Sequence, residues 1–273
     1  MKIFEKILGG NTLYYPGCLT KFVAKELKEK YEKILRKIGI DFIELSELEK
    51  CCGSPALKAG YLEDFKKLAE ENLKIFKDHS VKKIITNCPA CAMTFKIEYS
   101  KALGKEWNIE VLHISQVLEK AIKEGKIKKK EIKEKITFHD PCHLGRGMGI
   151  FEEPREIIKS QGYEISEMEL SRNESFCCGG GGGVKSNEPE LANKIAKDRI
   201  EQAKKTGAKI LCTNCPLCYL HLKENAKEIE VKELIELFVR FMKGEFLSEK
   251  TKAVLWKVVL EYREKRKMAL FEK

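Results

Sequence analysis

Thr86-Asn87-Cys88-Pro89-Ala90-Cys91 returns in the second half of the chain as Thr213-Asn214-Cys215-Pro216-Leu217-Cys218, identical at every position but one. Working outward, each CxxC is preceded by an adjacent cysteine pair and a glycine, Cys51-Cys52-Gly53 and Cys177-Cys178-Gly179, and before that by a single cysteine, Cys18 or Cys142. The gaps repeat as well: 32 residues separate Cys18 from Cys51 and 35 separate Cys52 from Cys88, against 34 and 36 in the second half. One unit is therefore written twice. Of the eleven cysteines only Cys212 stands outside the pattern, aligned with Ile85, and it reads as a small buried hydrophobe at a strand end.

The surroundings define the unit. Leu13-Tyr14-Tyr15 leads into Cys18, and Lys135-Ile136-Thr137-Phe138-His139 into Cys142, as short apolar strands. After Cys18, the residues Phe22, Val23, Leu27, Tyr31, Ile34, Leu35 and Ile38 recur at three and four, the stripe of an amphipathic helix that Gly39 stops. Asp41-Phe42-Ile43-Glu44 predicts the next strand. Leu62, Phe65, Leu68, Ala69, Leu73 and Phe76 predict a second helix, and Lys83-Ile84-Ile85-Thr86 a strand leading into Cys88. The second half repeats this with a helix near 154–161 and a strand near 163–166. A helix follows that Ser186 or Asn187 caps, with Pro189 in its first turn, and then a strand at 208–212. A short strand and helix close each unit, at 109–118 and 229–237.

Alternating strands and helices of this kind predict an α/β fold: two tandem pseudo-symmetric Rossmann-like units with parallel sheets, at 12–125 and 135–240, joined across the lysine-rich stretch 120–135. A C-terminal helical extension, 241–273, has no counterpart in the first unit. Its apolar stripe of Val254, Leu255, Val258, Val259 and Tyr262 is expected to pack on the protein itself in preference to a partner or membrane surface.

Composition narrows the function classes. The 273 residues are 43% hydrophobic and 34% charged, a soluble globular balance, and the net charge of +10 comes from lysines interspersed with glutamates. That pattern is a solvated surface and not a nucleic-acid footprint. No apolar run approaches the ~20 residues of a membrane span, and Met1–Leu8 lacks the features of a signal peptide. A cytoplasmic chain is expected, whose cysteines serve metal or redox chemistry instead of disulfides.

In parallel α/β units ligands gather on loops at the carboxyl ends of strands, where all three cysteine groups of each half fall. Five thiolates exceed the four ligands of a tetrahedral zinc site, so iron–sulfur chemistry fits better, and zinc in one half remains the alternative. The run Cys178-Gly179-Gly180-Gly181-Gly182-Gly183 lets backbone approach a cluster and point N–H groups at its sulfurs. A phosphate loop is excluded, because Val184 and not glycine precedes Lys185. His139 and His143 flank Cys142; either can hydrogen-bond a cluster sulfur, and each reads equally well as loop filling. Asp140 braces the turn with Pro141.

The twice-written pattern, with Cys51-Cys52-Gly53 and Cys177-Cys178-Gly179 as signatures, resembles the cysteine-rich CCG domain of heterodisulfide reductase catalytic subunits. The same domain pair occurs in iron–sulfur subunits of glycolate, lactate and glycerol-3-phosphate oxidising systems and in thiol:fumarate reductase. The resemblance covers about residues 12–240. It implies that Cys18, Cys51, Cys52, Cys88 and Cys91 bind one [4Fe-4S] cluster and Cys142, Cys177, Cys178, Cys215 and Cys218 the other. In heterodisulfide reductases these clusters are noncubane, and a substrate disulfide is cleaved between them. Gly53, Gly179, Gly180, Gly181 and His143 are expected around the clusters.

Many relatives carry a ferredoxin-type CxxCxxCxxxCP run that is not found here. The resemblance thus implies electrons arriving from a ferredoxin-like iron–sulfur subunit, a flavoprotein dehydrogenase subunit, or both, with a small-molecule disulfide as substrate in the leading case. A relay beside a 2-hydroxy-acid dehydrogenase and a zinc-stabilised scaffold are the alternatives. The glycine-rich second loop predicts closer backbone approach and a more open face at the second cluster than at Gly53.

Overall fold

The computed structural model describes residues 10–127 and 134–238. The N-terminal Met1–Leu8, part of the lysine-rich connector and the C-terminal extension lie outside the described residues.

Among the described residues, seven strands form two sheets, all of whose pairings are parallel. The first sheet contains β1 (Asn11–Tyr14), β2 (Val81–Thr86) and β3 (Glu110–His113), in the order β1-β2-β3. The second contains β4 (Lys135–His139), β5 (Glu164–Ile165), β6 (Ile210–Thr213) and β7 (Glu230–Glu233), in the order β5-β4-β6-β7. Registers correspond across the halves, with Thr86 opposite His113 and Thr213 opposite Glu233. The tandem α/β reading of the sequence is the observed architecture.

The strand expected at 41–44 is reduced to one bridge, Leu13 to Ile43. Ile43 takes the edge place that β5 holds in the other sheet, accepting from Tyr14 N at 3.0 Å and donating to Thr12 O at 2.9 Å. Its neighbours Asp41 and Glu44 are polar and partly exposed, and Glu44 is drawn to Lys28 on the preceding helix, so pairing stops there.

The single helix expected after Cys18 is two. Cys18–Phe22 ends before Ala24, which leaves the helical region at φ −104°, ψ 53°, and Lys25–Lys37 starts afresh. Phe22 and Val23 consequently project into solvent, 65% and 64% exposed, while Leu27, Tyr31, Ile34 and Leu35 form the buried stripe. Leu62, at the first position of Leu62–Asp78, is also exposed; Phe65, Ala69, Leu73 and Phe76 carry that helix's burial. The helix after the glycine run begins at Pro189 with no side-chain cap, because a separate turn, Val184–Asn187, uses Asn187 to donate back to Gly183 O. The last expected helix is a 3-10 turn, Leu234–Phe238.

An aromatic cluster fixes the first core. Phe95 meets Tyr99 edge-on at 4.9 Å between centroids, and Tyr99 meets Trp107 at 4.8 Å. Phe95 lies on a π-helical turn, Thr94–Glu98, that continues the helix Pro89–Met93 carrying Cys91. The halves touch through helix Glu152–Ser160 against Ile114–Lys123, and through helix Pro216–Asn225 against Cys18–Phe22. Buried Tyr31 reaches across to Glu233. Among the described residues, no helix is long and apolar enough to cross a membrane.

Candidate metal centres

Each cysteine group leaves the carboxyl end of a strand or the loop beside it, as parallel topology demands. β1 runs through Tyr15-Pro16-Gly17 to Cys18, and β4 through Asp140-Pro141 to Cys142. Cys88 and Cys215 are the extended residues preceding helices that open with Pro89 and Pro216, so the second cysteine of each CxxC lies one turn inside its helix. The proline fits there because the first helical N–H needs no intrahelical partner.

The repeated Thr-Asn before each CxxC is bracing. Thr86 Oγ1 accepts from Cys88 N at 3.2 Å, and buried Asn87 accepts from Tyr14 Oη at 3.0 Å while donating to Thr20 Oγ1 at 2.9 Å. In the second half Asn214 donates to Tyr31 Oη at 3.0 Å and to Glu233 Oε1 at 2.9 Å. Asn72 locks the first cysteine-pair loop, accepting from Lys50 N and donating to Cys51 O and Tyr99 Oη.

All ten patterned cysteines come together in two sets of five, and every cysteine is a free thiol. Thiol contacts run Cys18–Cys51–Cys52–Cys91–Cys88 in one set and Cys142–Cys177–Cys178–Cys218–Cys215 in the other, the same path through equivalent residues. The hydrogen bond from Cys18, with those from Cys52 and the Gly53 N–H, pushes Cys51 down to about 2. Cys177 is likewise held far below the usual thiol range, first by Cys142. The donors move the other way: Cys18 and Cys142 rise strongly, and Cys178 is pushed up to about 12, chiefly by its bond to Cys177. The first cysteine of each pair is thus a lowered thiol in both sets, as is Cys88 in the first. Cys18 and Cys177 are exposed, whereas Cys52, Cys91, Cys178, Cys215 and Cys218 are buried.

Glycines make the closest approaches. Gly17 sits at φ +76°, and a Cβ there would lie 3.1 Å from Cys91 Sγ and 3.3 Å from Cys88 Cβ. Gly53 N points at Cys51 Sγ at 3.5 Å, Gly179 N at Cys177 Sγ at 3.4 Å, and Gly180 N at Cys178 Sγ at 3.5 Å. Two glycine amides therefore address the second set and one the first, where the Ala90 and Cys91 amides also bond Cys88. Gly181 and Gly182 border open space, with only Leu217, 3.8 Å from a Cβ at Gly181, in reach. Five sulfurs, backbone amides aimed at them and no disulfide suit an anionic iron–sulfur centre, and exceed what a tetrahedral zinc ion takes up.

His143 Nδ1 lies 3.5 Å from Cys142 Sγ, and burial, with Lys58 nearby, lowers it to about 4. Lys58 belongs to the first half, as does Met93, whose Sδ would be 2.6 Å from a Cβ at Gly147, so first-half residues stand against the segment after Cys142. His139, an equal candidate by sequence, is 1% exposed, and burial lowers it to about 3. One of its ring nitrogens lies within 4.8 Å of the Cys178 and Cys218 sulfurs. Asp140 does more than brace a turn. It accepts both terminal nitrogens of Arg155, at 2.7 and 2.9 Å, and Arg172 N at 2.8 Å. Cys212 is buried and outside both sets, as its alignment implied.

Sequence reasoning missed Gly17, Asn72 and Arg199. Gly17 had a signal in its Pro-Gly-Cys setting, while Asn72 and Arg199 look like ordinary helical polar residues. A cleft of about 400 Å³ lined by Glu119, Lys123, Glu156 and Lys159 contains no cysteine and lies on a charged helix pair away from both sets.

A family profile described as "Cysteine-rich domain" matches residues 12–96 and again 136–223. Among curated proteins the chain is 36% identical over 246 residues to a subunit of the dihydromethanophenazine:CoB–CoM heterodisulfide reductase of Methanosarcina acetivorans, covering 87% of this chain and 59% of that protein. It is 35% identical to a subunit of the fumarate reductase (CoM/CoB) of Methanothermobacter marburgensis, over 84% of this chain and 46% of that one. It is 34% identical to the EtfAB:quinone oxidoreductase of Syntrophomonas wolfei, over 83% and 33%. The chain spans between a third and three fifths of the length of these relatives.

Proposed function

The chain belongs to the cysteine-rich domain family, and on that premise we propose that it is an iron–sulfur electron-transfer subunit of an oxidoreductase, with one four-iron centre in each of two units, 12–125 and 135–240. Cys18, Cys51, Cys52, Cys88 and Cys91 hold one centre, and Cys142, Cys177, Cys178, Cys215 and Cys218 the other. The observation that carries this reading is the mirrored path of thiol contacts through both sets. Bound there, a four-iron centre, cubane or noncubane, takes up and gives back single electrons at a potential set by local charge and by hydrogen bonds to its sulfurs. The Gly53, Gly179 and Gly180 amides supply such bonds, Gly181 keeps the adjoining face clear, and His143 stands beside Cys142.

Relatives named as CoB–CoM heterodisulfide reductase and CoM/CoB fumarate reductase subunits favour a disulfide as the group handled. Its reduction takes two electrons and two protons and yields two thiols; two one-electron centres held by these cysteines would supply the electrons, with the protons drawn from solvent. These come from a ferredoxin-like iron–sulfur subunit or a flavoprotein in the same cytoplasmic complex. The relative named as a quinone oxidoreductase favours a second reading, a relay that passes electrons on without touching a disulfide. Mixing the anaerobically reduced protein with the mixed disulfide of coenzymes M and B separates them. Disulfide reduction predicts reoxidation with release of two thiols per two electrons. A protein that stays reduced with the disulfide and is reoxidised by a soluble quinone is a relay.

A further inference from the structure

Two buried residues beside the second set have neutral counterparts beside the first. His139 stands three residues before Cys142, where Tyr15 stands before Cys18. Arg199 and Asn72 occupy the same position, the eleventh, of the corresponding helices Pro189–Lys205 and Leu62–Asp78. Arg199 donates its Nε proton to His139 Nδ1 at 3.1 Å. A ring nitrogen that accepts an N–H carries no proton, so the imidazole proton is on Nε2. That Nε2 is buried without a hydrogen-bond partner, and the ring lies beside the Cys178 and Cys218 sulfurs. Arg199 itself is fully buried, and its other bonds go to Leu170 O, Gln202 Oε1 and Ser175 Oγ, none of them a carboxylate.

We propose that Arg199 and His139 are positioning residues for the second centre: Arg199 fixes the imidazole so that Nε2–H donates to a sulfur on the Cys178–Cys218 side, and its cation makes this centre the more easily reduced of the two. The inference rests on the iron–sulfur reading above. Each electron taken up adds a negative charge, which a buried cation and an N–H donor stabilise more strongly than they would in water. At the first set, the Tyr15 hydroxyl is already committed to Lys50 O at 2.7 Å, and the Asn72 amide to Cys51 O and Tyr99 Oη. No comparable charge is supplied there by these positions. Electrons entering the pair therefore collect at the second centre. The same tautomer makes His139 a donor and not a ligand, because the Nε2 lone pair is occupied by the proton.

The test uses the iron-loaded full chain, with EPR-monitored redox titration and iron analysis of each variant. His139→Leu should keep its iron and move one of two midpoint potentials negative by at least a tenfold change in the electron-exchange equilibrium, about 59 mV for a one-electron couple. Arg199→Gln should move the same midpoint in the same direction, and His139→Gln, which retains an N–H, should restore it. Pulsed EPR of the reduced parent labelled with 15N-histidine should show only the weak nitrogen coupling of a hydrogen-bonded ring, a measurement independent of whether any variant folds. Unchanged midpoints in an iron-loaded His139→Leu protein overturn the proposal, as does strong coupling from a directly bonded histidine nitrogen. A parent with no iron overturns the iron–sulfur reading itself, and with it this inference, in the metal analysis that precedes any titration.

Discussion

The Tyr31 hydroxyl lies 2.7 Å from both carboxylate oxygens of Glu233, joining a helix of the first half to the end of a strand in the second. Asn214, next to Cys215, donates to both groups, and Ile235 N donates to Glu233 at 2.8 Å. Glu233 is fully buried, and burial pushes its carboxyl up to about 7.

A stability profile with pH follows. A carboxyl with a raised folded pKa binds protons in the folded state that the unfolded state has released, so stability is greatest below the unfolded value near 4.5 and declines as pH rises through about 7. Glu233→Gln should flatten that decline, gaining on the order of 3 kcal/mol at pH 8 relative to the parent. Tyr31→Phe removes one of the three donors to the buried carboxylate, leaving Asn214 and Ile235 N, and should cost about 1–3 kcal/mol. Chemical denaturation from pH 4 to 8 reads both, and a Glu233→Gln protein that keeps the parent slope would contradict the assignment.

Glycine substitutions separate close approach from mere flexibility. Gly17→Ala places a Cβ 3.1 Å from Cys91 Sγ at a positive φ, and Gly179→Ala places one 2.7 Å from Ala192 O, also at a positive φ. Each should lose iron from its own set, with about 1–2 kcal/mol of backbone strain added to the clash. Gly181→Ala meets only Leu217 at 3.8 Å and should load fully. Iron content of the three proteins checks the order.

Cys212 is the internal control. Buried on β6 and pushed well above the usual thiol range by burial, it touches neither set, so Cys212→Ala should retain all iron. Cys215→Ser, three residues on, should retain about half, because only one of two centres is lost. Metal analysis of the two variants in parallel distinguishes ligand from bystander.

The buried Asp140–Arg155 pair, with Glu167 at its exposed end, should behave as a structural unit. Arg155 is 1% exposed and bonds Asp140 at 2.7 Å and Glu167 at 2.6 Å. Removing one member leaves an uncompensated buried charge, so Arg155→Leu should cost about 3–5 kcal/mol. Thermal unfolding measures the cost.

The cysteine repeat made the tandem α/β fold legible because a duplicated cysteine pattern marks where strands end. Element edges were legible only where apolar periodicity and backbone conformation agree. Phe22 and Val23 satisfy the helical period, yet Ala24 breaks the helix and turns them outward. Ile43 is apolar enough for a strand, but Glu44 beside it is drawn to Lys28, and one bridge remains. Cysteines announce themselves by type and spacing. Arg199, Asn72 and Tyr31 act through partners 60, 21 and 202 residues away, a separation that no local pattern encodes.

The central claim is that two sets of five cysteines hold iron–sulfur centres, and iron, acid-labile sulfide and zinc analysis of the anaerobically purified chain tests it most directly. Two four-iron centres predict about eight iron and eight sulfide per chain with negligible zinc, falling by half on Cys51→Ser or Cys177→Ser. A colourless protein with one or two zinc ions and no iron, after anaerobic reconstitution as well as before it, would contradict the account.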